Sequence, residues 1–102
     1  WICIEFKKHQ IIPTHYTIKS GDDGDNPKNF VLEGSTDKNK WIEIDRESNC
    51  TDLRAKQSLK TFSIQKDKQK SFKYLRLRVE QNWCNNRSRV QIRSIEFYGN
   101  LI

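Results

Sequence analysis

Apolar and polar residues alternate with a period of two along most of this 102-residue chain, and helical periodicity is almost absent. Within 1–6, Ile2, Ile4 and Phe6 share a face, and within 14–20 Tyr16 and Ile18 oppose His15, Thr17 and Lys19. Segment 29–36 sets Phe30, Leu32 and Gly34 against Val31 and Glu33. Segment 41–45 puts Ile42 and Ile44 on one side, and 59–64 does the same for Phe62 and Ile64. The clearest strand covers 72–80, with Leu75, Leu77 and Val79 predicted inward and Arg76, Arg78 and Glu80 exposed. In the last segment Val90 and Ile92 have one parity, Ile95 and Phe97 the other. One extra residue at Arg93-Ser94, a β-bulge, returns all four to a single face.

Turn-forming residues separate these segments at 21–27, 37–40 and 82–89. Pro13 falls at the entrance of the second strand, where a missing N–H is tolerated. Only 51–57 has the pattern of a helical turn. Seven short strands with frequent turns predict an all-β, antiparallel β-sandwich or barrel, one domain over 1–102.

Composition thins the expected core without removing it. Apolar residues are 34% and charged residues 31%, yet aromatics reach 11%, which a disordered chain rarely carries. No run approaches the ~20 apolar residues of a membrane helix. Charge is unevenly placed. Residues 1–50 hold seven Lys/Arg against nine Asp/Glu, a balance of −2, and 51–102 hold twelve against four, a balance of +8. Such asymmetry fits either an anionic partner or a solvated basic face.

Cys3, Cys50 and Cys84 cannot all pair with one another and lack zinc-ligand spacing. A small secreted domain is usually stapled by an even set of disulfides, so a reducing, intracellular compartment is expected. The sequons at Asn49 and Asn86 arise at about the frequency of chance.

Four segments carry a family resemblance. Trp1-Ile-Cys-Ile-Glu-Phe resembles the W-I-x-I-D-L strand of the discoidin domain (coagulation factor 5/8 type C domain). Phe30-Val-Leu-Glu-Gly-Ser-Thr-Asp with Trp41-Ile-Glu-Ile-Asp resembles its W-x-L-E-G-S-x-D…W-x-x-L-D hairpin. Tyr74-Leu-Arg-Leu-Arg-Val resembles its Y-I-R-L strand, and Ile92-Arg-Ser-Ile-Glu-Phe-Tyr-Gly its closing strand. The texture is similar to intracellular versions in protist multidomain proteins. The resemblance implies a galactose-binding-like jelly roll with loops gathered at one end, binding carbohydrate, acidic phospholipid or protein. It also implies a first strand and a ligand-facing loop ahead of the W-I-x-I-D-L strand, which this sequence lacks.

Candidate binding residues fall in three places. The connection 82–89 brings Asn82, Trp83, Asn85, Asn86 and Arg87 between two strands, where a sandwich presents its loops. Trp83 there either stacks on a ligand or caps the sandwich. Arg76 and Arg78 project from one strand, forming either an anion-binding face or charged edge protection. Asp22, Asp23 and Asp25 offer oxygen ligands for Ca²⁺, but without the D-x-[DN]-x-[DN]-G order, so a solvated turn is the plainer reading.

Catalysis has little support. His9 and His15 lack a partner nucleophile in an elbow motif. Glu33, Glu43 and Asp45 fit outward-facing strand patterning better than a carboxylate pair. The sequence calls for no cofactor. Nucleic acid is disfavoured, because exposed aromatics are not interleaved with the arginines.

The expected function is a non-catalytic module binding a protein partner within a larger intracellular protein, with a glycan- or acidic-lipid-binding module as the alternative. Oligomeric state is then set by the rest of the parent chain. Thiol titration of the unfolded, non-reduced protein is expected to find three free groups; finding one would reinstate the secreted reading.

Overall fold

In a computed structural model, which describes residues 2–6, 9–20, 27–53, 58–82 and 92–101, the chain forms a sandwich of two antiparallel sheets. The strands are β1 (Ile2–Glu5), β2 (Ile11–Ser20), β3 (Pro27–Ser35), β4 (Ile42–Glu47), β5 (Leu59–Ser63), β6 (Tyr74–Asn82) and β7 (Ile92–Leu101). One sheet has the order β1-β6-β3-β4, the other β5-β2-β7. Single 3-10 turns occupy Thr51–Leu53 and Lys66–Lys68. The first is the start of the helical turn expected over 51–57; residues 54–57 lie outside the described residues.

All seven expected strands are present, and their inward faces build the core. Tyr16, Ile18, Phe30, Leu32, Leu53 and Leu75 are fully buried, and Ile44, Phe62, Ile64, Phe72 and Leu77 nearly so. Phe62 joins the sheets: it stacks on Tyr16 at 5.0 Å between centroids and meets Phe30 edge-on at 5.5 Å.

The bulge expected near Arg93-Ser94 is present. Lys19 faces Ser94 and Ser20 faces Ile92, so Arg93 is the extra residue, and Ile95 and Phe97 lie opposite the inward-facing Ile18 and Tyr16. Pro13 lies inside β2, opposite Gly99, where pairing with β5 has not yet begun. Gly99 is required there, because a Cβ would collide with the Ile12 carbonyl oxygen.

Three expectations need correction. Val31 and Glu33, read as outward, are buried, because β3 lies between β6 and β4 and long side chains from both neighbours roof its outer face. Ile42 and Ile44 do not share an environment: a bulge at Ile44 sends it into the core while Ile42 stays about half exposed. Asn82 belongs to β6, paired with Pro27, and not to the following connection.

Cys3 is exposed on β1 and Cys50 is buried after β4; Cys84 lies outside the described residues. Leu77, 1% exposed, is central to β6 and paired with both Ile2 and Leu32. Leu77→Ala is expected to lower unfolding free energy by roughly 2–5 kcal/mol in urea denaturation. A loss under about 0.5 kcal/mol, the level of a surface change, would refute the β6 register.

Candidate functional site

Antiparallel topology sorts the connections between two poles. At one pole the chain leaves β2, β4 and β6 and enters β3, β5 and β7, so the connections 21–26, 48–58 and 83–91 emerge together. Their bases are tied by hydrogen bonds. Ser20 N donates to Ser58 O at 2.8 Å, and Ser58 N donates to Ser20 Oγ at 2.8 Å. Cys50 N donates to Lys28 O at 2.9 Å. Asn29 is the cross-tie: its Oδ1 accepts from Asn49 N at 2.7 Å and its Nδ2 donates to Gln81 Oε1 at 2.9 Å.

The strand ends that flank 21–26 (Ser20 and Pro27) and 83–91 (Asn82 and Ile92) therefore lie at the same pole. Trp83, Asn85, Asn86 and Arg87, and Asp22, Asp23 and Asp25, themselves lie outside the described residues.

Arg76 and Arg78 lie elsewhere, on the outer face of the four-stranded sheet. Arg76 Nε donates to Glu33 Oε1 at 2.9 Å, and Arg78 Nε donates to the same oxygen at 3.3 Å. Arg76 also lies over the Trp41 ring at 4.0 Å. The chain of charges continues from Arg78 to Glu80 at 3.5 Å, from Glu80 to Arg46 at 2.7 Å, and from Arg46 to Glu43 at 2.9 Å. Burial pushes the Glu33 carboxyl upward, but hydrogen bonds and charge from Arg76 and Arg78 win, and it is held below the usual carboxylate range.

The expectation that Arg76 is exposed is corrected. The parity is right, but its side chain is only 19% accessible, spread between Trp41 and Glu33; Arg78 remains at 43%. Trp41 and Glu33 are thus parts of this network that sequence patterning assigned no such role. The signal was a Trp at a strand entrance beside a carboxylate-bearing hairpin, which patterning alone does not connect to β6.

Between the sheets, on the side where β4 and β5 form the edges, lies a polar group. Tyr16 OH donates to Asp45 Oδ2 at 2.6 Å, so Asp45 faces inward, contrary to the outward patterning expected for it. Burial, then that hydrogen bond, pushes the Tyr16 hydroxyl well above the ordinary tyrosine range. Burial, a hydrogen bond with Asp45 and the charge of Asp45 push the Glu47 carboxyl up from 4.5 to about 7, against a smaller opposing pull from Lys60. Each of the carboxylates once weighed for catalysis therefore has a structural partner: Glu33 and Glu43 in the arginine network, Asp45 in the sandwich interior.

Comparison with known proteins gives two findings. The family model of the Sad1 / UNC-like C-terminal domain matches residues 1–101. Among solved structures, the C-terminal domain of a chitobiase from Bacteroides fragilis superposes with a TM-score of 0.66 at 17% identity, over 92% of this chain and 59% of that one. At that identity the likeness shows the fold alone, and this chain spans under two thirds of its neighbour. No curated protein sequence matches. The matched family has the galactose-binding-like jelly-roll fold that the discoidin-like motifs imply, but the family matched is Sad1/UNC-like and not the discoidin family those motifs resemble.

The raised Glu47 carboxyl fixes the sign of a pH dependence. A group protonated in the folded state at a pH where the unfolded chain has released its proton stabilises the fold fully below about pH 4.5. That contribution is lost as pH rises through about 7. Glu47→Gln, which keeps a neutral donor, is expected to flatten the fall in stability between those values by about 1 kcal/mol, after allowing for solvent screening of a half-exposed group. Melts of both proteins across the window check this; parallel curves would overturn it.

Proposed function

Since the chain belongs to the Sad1/UNC-like C-terminal family, a binding module of galactose-binding-like fold, we propose that it is a non-catalytic interaction module of a larger intracellular multidomain protein. In this reading it engages a protein partner at the pole where 21–26, 48–58 and 83–91 emerge. The observation that supports this is the set of ties at their bases, above all Asn29 bridging Asn49 and Gln81. A rigid rim lets short connections carry recognition groups at low entropic cost.

The sequence supplies those groups. Trp83 has the size of an interface anchor, Asn85 and Asn86 can donate and accept, and Arg87 can pair with a carboxylate. Asp22, Asp23 and Asp25 add opposite charge from the neighbouring connection, which would sharpen selection among partners. The Arg76–Glu33–Arg78 network is read as a brace of the sheet, with the more exposed Arg78 able to extend the surface toward Gln81 and Asn82.

A second reading, a glycan- or acidic-lipid-binding module, is favoured by the same Trp83, whose ring could stack on a sugar or enter a bilayer interface.

Trp83→Ala separates these readings from a purely structural role. If Trp83 contacts a ligand, the melting temperature should move little, while capture of a partner, or binding in a glycan and liposome screen, should fall by tenfold or more. A loss of about 3–5 kcal/mol in stability would identify Trp83 as a cap. Undiminished binding by a stable variant would place the site elsewhere.

A further inference from the structure

The pole opposite the Trp83 connection gathers 6–10, 36–41 and 64–73. Its base is stitched as firmly as the other. Phe6 N donates to Lys73 O at 2.9 Å, Lys73 N to Ser35 O at 3.0 Å, and Ile11 and Phe72 exchange a pair of backbone bonds at 2.9 and 2.8 Å. Two of these connections carry six lysines, Lys38, Lys40, Lys66, Lys68, Lys70 and Lys73, and all but Lys73 are exposed. None of the six makes an ion pair among the described residues. The acidic residues of the same connections are Asp37 and Asp67, with Glu5 at the margin. The sequence scatters these lysines over 36 positions, and only the topology unites them.

The lysines stand on ordered backbone. Asp37 Oδ1 accepts from Asn39 N at 2.8 Å and Lys40 N at 3.0 Å, while Ser35 Oγ accepts from Lys38 N at 2.9 Å. Gln69 Nε2 donates to Ile64 O at 2.8 Å across the 64–73 connection. Ammonium groups without an ion pair among the described residues, on a braced frame, form a standing positive potential, which steers an anionic partner.

We infer that this lysine pole is a second interaction surface, docking an acidic, extended protein segment independently of the Trp83 connection. Nucleic acid fits less well. Single-strand binding wants free aromatic faces for stacking, and here Tyr74 lies under Lys38 and Lys73 at 5.9 and 5.7 Å, and Trp41 under Arg76. A bilayer presents a uniform negative sheet, against which Asp37 and Asp67 would be repelled. A polypeptide can place its charges around them. Ile42 and Leu101, about half and about two-thirds exposed at strand ends on this pole, offer apolar contacts beside the lysines.

The test uses the 102-residue chain and a fluorescein-labelled peptide of about ten glutamates, followed by anisotropy. Binding is expected to saturate and to weaken at least about tenfold between about 50 and 300 mM salt. Lys66→Gln, Lys68→Gln and Lys70→Gln together should weaken it by about tenfold or more, with an unchanged melting temperature. The control removes equal charge from the other end, with Lys19→Gln, Lys28→Gln and Lys60→Gln together, and should stay within about threefold. Equal losses in both variants would reduce the effect to net charge and overturn the proposal. Tighter binding to a single-stranded oligonucleotide, or to vesicles of phosphatidylcholine containing about one third phosphatidylserine, would also overturn it. Trp83→Ala should leave peptide binding intact, so failure at either pole is read separately.

Discussion

A carboxylate on the central strand of the four-stranded sheet organises that sheet's outer face. Glu33 is 8% exposed, with β6 on one side of it and β4 on the other. A charge in that position must be paired, and removing the partner of a buried pair costs about 3–5 kcal/mol, against about 0–1 for exposed surface pairs. Arg76 and Arg78 supply the pairing from alternate positions of β6, a spacing that only a strand provides. The Arg76 guanidinium also lies over the Trp41 ring, and Val31, flanked in register by Arg78 of β6 and Arg46 of β4, is fully buried. The outer pairs running through Glu80, Arg46 and Glu43 are more exposed, at 37–49%, and contribute mainly alignment.

The two long edges of the sandwich are closed by different chemistry. Along β4 and β5 the interior is polar, with Tyr16 reaching from one sheet to Asp45 of the other and Glu47 beside it. Toward β1 and β7 it is apolar, and Phe6, Val79, Ile95 and Phe97 pack against the core while remaining partly accessible. The polar side responds to pH because the Glu47 carboxyl is partly buried and close to Asp45. The apolar side rests on contact area alone, so its strength follows how completely those four residues are covered.

The poles divide the functional surface as the edges divide the interior. Each gathers three connections and ties their bases with backbone and amide hydrogen bonds, so the strands act as a rigid spacer between two sets of loops along a body 37 Å long and about 24 Å across. Among the described residues, lysines dominate the pole of 36–41 and 64–73.

Period-two alternation in the sequence determined the strands, the inward sets Tyr16/Ile18, Phe30/Leu32 and Leu75/Leu77, and even the bulge at Arg93, because side-chain direction along a strand follows from backbone geometry alone. The jelly-roll fold was legible as well, through motifs of the hairpin and the closing strand. Alternation could not decide which outward residues stay outside. Val31, Glu33 and Asp45 have the parity or polarity of surface positions, yet they are buried or turned inward by neighbours remote in sequence: Arg76, Arg78 and Tyr16. The lysine pole was hidden for the same reason, since connections far apart along the chain become adjacent only when strand order is fixed. Local geometry is written in the sequence residue by residue, whereas burial of charge and the meeting of loops depend on long-range pairing, which only the tertiary structure decided.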